Sequence, residues 1–539
     1  MIVTVATGGA LGVDLAAPDT NAVLSAVGQA VAPATSSSPG GTFFDDDGDV
    51  HEGAIEAIVA AGITRGCGEP DLYCPTDPVT RGQMAAFLAR ALNLPAAKGD
   101  TFSDDDGSMF EADIQALAAA GITRGCGPRL FCPDRVVTRQ EMAAFLTRAL
   151  HLEPGESDRF VDDAGSPFAA DISALARAGI TKGCNPPAND LFCPTRPVLR
   201  DQMASFLSRA LDLTPVIPPP RPSVTMAFTG DVLIHSQLWR KAATYGSPFD
   251  FGPMFAPVSK IIGSVDLAIC HLETPLSATD EDLSSYPRFN TPHEVADGLA
   301  GAGYDGCSTA SNHSWDQGLS GIEATVKGLH DAGLAQSGMA TSQSAADHAT
   351  LYQVGDVTLA HIAATWWLNG LRLPEDKPWL VQMLDLDQIL AKAHQAREEG
   401  ADVVVVSMHC CVQYQAAPTA YQKEVARALI ASPDVDLVVG HHAHVVSPVE
   451  EVNGEYIFYG LGNFLSGQRF LPETQDGVIL TVEFAPRNGR WVGRNVRAYP
   501  TWVEAGTYRI LTAAGNNEAS WRRTARTLES YGADLEVVG

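Results

Sequence analysis

The sequence predicts two folds in one chain: an all-α bundle of three repeats, then an α/β domain. Three observations predict them. A pattern recurs three times between Thr42 and Asp212 with a period of about 58 residues. A proline-rich stretch, "LTPVIPPPRPS", follows at 213–223. Beyond it, short β-branched runs alternate with helical stretches, the signature of a sheet covered by helices. The length of 539 residues also exceeds what one core usually organises.

The repeats open on "TFFDDDG" at Thr42, "TFSDDDG" at Thr101 and "RFVDDAG" at Arg159. Each opening leads into an apolar helical stripe, Ile55, Ile58 and Val59 in the first copy, ended by a glycine such as Gly62. A loop bracketed by two cysteines comes next. A second amphipathic helix then starts near "VTRGQMAAFLARAL", with Met84, Phe87, Leu88 and Leu92 on one face. The acidic clusters at 45–49 and 104–107 lack the spacing of a complete calcium loop. They read as solvated helix-start clusters favoured by the helix dipole.

The paired cysteines are Cys67 with Cys74, Cys126 with Cys132 and Cys184 with Cys193, at one place in each repeat. Neither spacing nor neighbouring histidines fits a zinc site, so three stapled loops and an oxidising compartment are expected. Cys270 and Cys307 read as buried free thiols.

These copies resemble S-layer homology repeats over residues 42–212, with divisions at 42–99, 100–157 and 158–212. The likeness rests on the aromatic–Asp opening, the Gly-Ile helix end and the "TR-x-x" start of the second helix. It implies a three-pronged bundle that docks on cell-wall polysaccharide, with Arg81, Arg139 and Arg200 facing the anionic polymer. Capping or stapling of helices is the competing role for those arginines. The family's usual tryptophan is replaced by His51, Phe110 and Phe168.

Composition narrows the partners. Hydrophobic residues make up 45% and charged ones 19%, as in folded globular chains. The net charge of −28, from 64 acidic and 36 basic residues, excludes nucleic acid as a natural partner. It suits a soluble, extracellular surface. No apolar run reaches the roughly 18 residues of a transmembrane segment. Residues 1–41 read as a low-complexity segment whose apolar start lacks the basic region of a signal peptide. Residues 213–223 read as a stiff, extended linker.

From Val224 the strand-like runs are "VTMAFTGD", "DLAICHLE", "GYDGCSTASNH", "VTLAHIAAT", "DVVVVSMHC" and "DLVVGHHAH". Helices are expected at about 292–302, 317–333, 385–399 and 418–432. Asn-Gly in "VEEVNGEYIF" marks a hairpin, and "APRNGRWV" marks a second. Residues 506–539 read as a helical tail.

Polar residues gather at the carboxyl ends of these strands: Asp231, Glu273, Asn312, His313, His409, His442 and His444. Such ends lie along one edge of an α/β sheet, where ligand sites collect. Carboxylates, an amide and imidazoles together suit a pair of divalent ions, Mn, Fe or Zn rather than calcium. His313 is placed to give a proton to a leaving group, and Asp316, about one helical turn on, to orient it. There is no Gly-x-Ser-x-Gly elbow and no phosphate-cradling loop with lysine.

Residues 224–470 resemble the CapA family of capsule (poly-γ-glutamate) synthesis proteins, within the calcineurin-like metallophosphoesterase superfamily. "FTGDVLIH", "LAICHLETPL", "GYDGCSTASNHSWDQG", "VVVVSMH", "DLVVGHHAHVVSPVE" and "YIFYGLGNF" carry the likeness. It implies a four-layer α/β/β/α sandwich over 224–505, with metal roles for Asp231, Glu273, Asn312, His409, His442 and His444. It gives His313 the acid role. His235, His441, Gln413 and Asn463 are expected to touch substrate or support the ligands.

The usual "HWG-x-EY" continuation is here "HCCVQY", with Cys410 and Cys411 open to a strained disulfide, opportunistic metal binding or simple packing. The expected function is a secreted, wall-anchored hydrolase of phosphoester or γ-glutamyl polymer substrates. A non-catalytic metal-bearing scaffold that tethers an anionic capsule polymer is the alternative.

Overall fold

The computed structural model describes residues 40–155 and 159–539. Nearly all of the expected N-terminal segment, 1–41, lies outside the described residues. The chain divides into two compact units, the boundary falling between Arg221 and Pro222.

In the first unit each repeat gives two helices. The first helices are α1 (Glu52–Ala60), α3 (Glu111–Ala119) and α5 (Ala169–Arg177); the second are α2 (Arg81–Ala91), α4 (Arg139–Ala149) and α6 (Arg200–Ala210). The "TR-x-x" motif is a helix-start device. Thr80 with Gln83, and Thr138 with Glu141, form reciprocal capping boxes. The third copy has Leu199 at that place and makes no side-chain cap.

The repeats close into a ring. Val79 N–H donates to Val198 O at 2.9 Å, Val198 to Val137 at 3.0 Å and Val137 to Val79 at 2.9 Å. The arginines close the ring in the opposite sense: Arg81 donates from Nε to Phe131 O of the second repeat at 2.7 Å. Arg139 does so to Phe192 O of the third at 2.7 Å, and Arg200 to Tyr73 O of the first at 2.7 Å.

These guanidinium groups do not face solvent as expected. They are only 3–4% exposed and lie over aromatic rings, for example Arg81 over Phe131 and Phe145 at 4.7 and 5.2 Å. Planar guanidinium matches carbonyl and ring together, which explains why arginine rather than lysine recurs. The three loop disulfides join the expected cysteine pairs.

The segment expected as a free spacer lies back on the first repeat instead. Val216 N–H donates to Gly53 O at 3.1 Å, and Arg221 pairs with Asp47 at 2.8 Å. Neither acidic opening is fully solvated, since Asp46 and Asp105 are 1% and 0% exposed.

The second unit is built on two sheets. One has the order β14 (Ile510–Thr512), β13 (Arg490–Val503), β12 (Asp476–Arg487), β1 (Val224–Leu233), β2 (Leu267–Leu272), β3 (Gly306–Ser308), β4 (Ala335–Ser337), with β11 (Asn463–Ser466) added beside β1 and β15 (Glu536–Val537) beside β13. Its site-bearing strands are β1, β2, β3 and β11. The other sheet has the order β5 (Thr350–Val354), β6 (Val357–Thr365), β7 (Val403–His409), β8 (Leu437–His441), β10 (Glu455–Phe458), β9 (Val449–Val452), with β6, β7 and β8 bearing on the site.

Side-chain alternation makes four layers of these sheets. Met226, Phe228, Leu267 and Ile269 share a core with Leu359, Val403, Val405 and Val439 across the two sheets. Ala227, Ala268 and Cys270 point the other way, onto α7 (Ser236–Tyr245), α8 (Glu294–Ala302) and α9 (Gly318–Asp331). Val404, Val406 and Met408 likewise pack on α10 (Leu386–Glu398) and α11 (Ala420–Ile430). The result is the α/β/β/α sandwich.

Both hairpins form, with Asn453-Gly454 and Asn488-Gly489 turning at positive φ as the Asn-Gly signal requires. Cys270 and Cys307 are not free: facing register partners on β2 and β3, they are disulfide-bonded. The tail is not one helix. Ile510–Thr512 and Glu536–Val537 pair with β13 (Arg490–Val503), and between them α12 (Glu518–Leu528) binds Asp476 through Ser520 and Arg523.

Candidate metal centre

Strand register assembles the site. In the first sheet Asp231 pairs with Asn463 on one side and His271 on the other, and His271 pairs with Ser308. In the second, His409 pairs with Thr365 and His441. The carboxyl ends of both sheets thus deliver polar side chains to one buried volume.

Local backbone features aim them. Gly230 lets Asp231 N–H reach Gly462 O at 2.8 Å; a Cβ there would strike that same carbonyl. Beyond β8, His442 and His444 both adopt left-handed backbone, φ 87° and 56°. For histidine this conformation is uncommon and stored at a cost, which points to a functional demand. After β3 a serine-braced turn holds Asn312 and His313. Ser311 Oγ donates to Glu273 O at 2.6 Å, and Ser314 Oγ to Thr309 O at 2.7 Å.

All six expected ligands are buried together. His444 Nδ1 lies 3.0 Å from Asp231 Oδ2, and its Nε2 lies 3.7 Å from Glu273 Oε1. His409 Nε2 lies 2.8 Å from Asn312 Oδ1 and 2.9 Å from His442 Nδ1. Two groups have the spacing of an ion's coordination sphere: Asp231 with His271 and His441, and Glu273 with His409 and His442.

His271 is the residue that sequence reasoning missed. It is fully buried, contacts His409 Nδ1 at 2.9 Å, and stacks on His441 at 4.0 Å between ring centroids. The available signal was a lone histidine in an apolar buried strand, two residues before Glu273. His441, expected in a supporting role, stands 3.4 Å from Asp231 Oδ1.

The supporting residues fall as follows. Asn463 faces His444 Nδ1 at 3.1 Å. His235 turns to Leu233 O at 3.1 Å and meets Phe289 edge-on. Gln413 lines the cleft that opens over the cluster. His313 Nδ1 contacts Asp316 Oδ2 at 2.7 Å, and Asp316 also accepts from Phe289 N–H at 2.8 Å. This bond leaves His313 Nε2 for the cleft. Cys410 and Cys411 are joined as a vicinal disulfide beside His409, and Cys411 forms part of the cleft wall.

The electrostatics favour bound cations. Burial pushes Glu273 up to about 8, aided by Asp231 and Asp316 and opposed by His444. Burial also pushes Asp231 up, but contacts with His441 and His444 and the charge on His444 hold it well below the usual range. Burial lowers His444, yet Glu273 and Asp231 outweigh it and raise the group to about 9. His442 is driven down to about 3 and His409 well below its usual value, by burial first and neighbouring histidines next. His442 and His409 thus stand neutral and Asp231 ionised, as a divalent ion needs. Cation binding would displace the protons that the raised values place on Glu273 and His444. Among the described residues neither Glu273 oxygen has a hydrogen-bond donor, an arrangement too costly for a buried carboxylate without a cation. The donor set fits divalent cations.

A cleft of about 590 Å³ opens over His442, Asn312 and His313. Its outer wall carries Tyr286, Arg288, Trp366 and Trp367, and the two tryptophans are 44% and 50% exposed.

Comparison with known proteins accords with this geometry. Residues 225–468 match the family model described as bacterial capsule synthesis protein PGA_cap, and residues 101–143 match the S-layer homology domain. The capsule biosynthesis protein CapA of Bacillus anthracis is 24% identical over 333 residues, covering 60% of this chain and 78% of that protein. The PGA biosynthesis protein CapA of Bacillus subtilis is 26% identical, covering 48% of this chain and 67% of its own. A solved structure, the calcineurin-like phosphoesterase YfkN from Bacillus subtilis, aligns over 58% of this chain and all of its own, at 14% identity and a TM-score of 0.34. That distance is too great to argue from. The chain therefore carries a PGA_cap domain and an S-layer homology domain.

Proposed function

We propose that the PGA_cap unit is a two-metal hydrolase acting on phosphoester or γ-glutamyl polymer substrates at the cell envelope, where the S-layer homology repeats anchor it to wall polysaccharide. One observation carries this reading: strand ends from both sheets bring Asp231, Glu273, Asn312, His409, His442 and His444 into one buried cluster whose Glu273 oxygens lack donors.

Two ions of the Mn, Fe or Zn class would be held by those six residues, with His271 and His441 beside Asp231. Bound there, they supply Lewis acidity toward a phosphoryl or acyl oxygen and a more acidic water. The chain's own residues do the rest. Asp316 fixes the His313 ring through Nδ1, so that Nε2 faces the leaving group and gives it a proton. Arg288 attracts an anionic substrate, and Trp366 and Trp367 cover its non-reacting part. The buried Arg81, Arg139 and Arg200 hold the repeats together, so polymer contact falls to other, exposed groups of the bundle. Wall anchoring and three loop disulfides together favour a secreted, surface-held protein. Among the described residues no helix is long and apolar enough to cross a membrane.

The test is metal analysis of the purified chain, followed by a screen of phosphomonoesters, phosphodiesters and poly-γ-glutamate. His313→Ala is expected to keep both ions and lose about 10²–10⁴-fold in turnover. Full metal loading with no turnover of any substrate class would favour the tethering scaffold instead.

A further inference from the structure

The three repeats serve as internal controls on one another at the acidic opening. In the second repeat Gln115 Oε1 accepts from Thr101 N–H at 3.0 Å, and its Nε2 donates to buried Asp105 at 2.9 Å. The first repeat keeps the first contact: Glu56 Oε1 accepts from Thr42 N–H at 2.7 Å. Its other oxygen, Oε2, accepts from the Thr42 hydroxyl at 2.9 Å and stands where Gln115 has a donor, so it offers Asp46 no hydrogen. Asp46, the counterpart of Asp105, is 1% exposed, and among the described residues neither of its oxygens has a hydrogen-bond donor.

Acidic residues accumulate around this one aspartate. Asp49 stands where the other repeats have Ser108 and Ser166, and Glu52 where the third has Ala169. Glu52 accepts from Gly48 N–H at 3.0 Å, as Glu111 does from Gly107 N–H at 3.1 Å in the second repeat, so Glu56 and Asp49 are what set the first repeat apart from the second. In the third repeat Ser173 replaces Glu56 and Ala169 replaces Glu52, so only the paired aspartates Asp162 and Asp163 of the opening remain.

Two carboxylates facing each other in a buried site need a proton or a cation between them. Asp46 and Glu56 make no hydrogen bond with each other, although Glu56 exerts the largest repulsion of any charge on Asp46. Burial and this crowd of acids push Asp46 up to about 8. We propose that the first repeat binds one hard divalent cation, Ca²⁺, between Asp46, Glu56 and Glu52. Oxygen-only ligands and irregular geometry suit Ca²⁺ better than Mg²⁺, which demands a regular octahedron and keeps its waters. The site would couple folding of the anchor's first repeat to extracellular calcium. It owes nothing to the reading of the other unit.

Calorimetric titration of Ca²⁺ into the full chain, wild type against Glu56→Gln, tests this. Subtracting one isotherm from the other removes any Ca²⁺ taken by the PGA_cap unit. Wild type is expected to bind one Ca²⁺ more, or the same ion at least tenfold tighter. Ca²⁺ is also expected to raise the unfolding temperature of wild type but not of Glu56→Gln. That variant recreates the amide of Gln115, so its fold should persist, as far-ultraviolet circular dichroism would check. Should it fail that check, Asp46→Asn is read in the same way. Identical isotherms for wild type and variant would overturn the proposal. So would a variant more stable than Ca²⁺-saturated wild type, because the pair would then share a proton.

Discussion

Both units bury charged side chains, and they treat them in opposite ways. In the repeats each buried arginine meets a backbone carbonyl and two aromatic faces supplied largely by the next repeat. In the PGA_cap unit Glu273 is as deeply buried, yet neither of its oxygens has a donor. The first pattern is self-sufficient and holds a structure together. The second is complete only when positive charge arrives. Satisfied burial marks architecture here, and unsatisfied burial marks chemistry.

The largest expected break falls on the unsatisfied side. Asp231→Ala should lower metal affinity by at least about 100-fold, since even supporting residues of metal sites are worth 10–100-fold. Metal analysis after dialysis would check it, with the repeats' unfolding transition unchanged. Retention of both ions would dissolve the contrast. Next, Arg139→Ala should cost about 3 kcal/mol, because it strands Phe192 O and removes contacts to Gln202 and Gly183. Differential scanning calorimetry would read this in the repeats, with metal content intact.

A smaller effect sharpens the comparison through pH. In the metal-free protein Glu273 and His444 both have raised native values, about 8 and about 9. A raised group stabilises the native state below its unfolded value and loses that contribution as pH rises through the native one. His442 and His409, lowered by burial, add stability as pH rises toward 6.5. The loss from Glu273 and His444 therefore stands alone between about pH 7 and 9, where metal-free protein should fall by roughly 5 °C at a few degrees per kcal/mol. Metal should abolish the slope. The smallest effect concerns helix starts: Thr138→Ala should cost about 1 kcal/mol and Leu199→Thr should recover a similar amount in the third repeat. Thermal unfolding of the two variants would read both.

Much of this was legible in sequence because periodicity reports burial. The four expected helices of the second unit match Glu294–Ala302, Gly318–Asp331, Leu386–Glu398 and Ala420–Ile430 to within a few residues. Strand ends carried the ligand candidates because a strand's carboxyl end is visible as the point where an apolar run stops. His271 escaped because it lies inside such a run, one register step from Asp231. The Cys270–Cys307 bridge escaped for a related reason: pairing of β2 with β3 is a non-local fact, set by register across 37 residues. The arginines misled because charge suggests solvent, whereas the carbonyls that bind them come from another repeat. The same error hid Asp46, whose burial depends on how the loop closes over it.

The ring of the repeats has a consequence for how the chain is made. Arg200 must reach Tyr73, a separation of 127 residues, before the first repeat has all its neighbours. An open solenoid can add copies one by one, each stable on the last. Here the first repeat emerges from synthesis with one flank bare and stays so until the third is complete. Truncating after the second should therefore leave two unfinished copies rather than a shorter anchor, and long-range closure of this kind is slow.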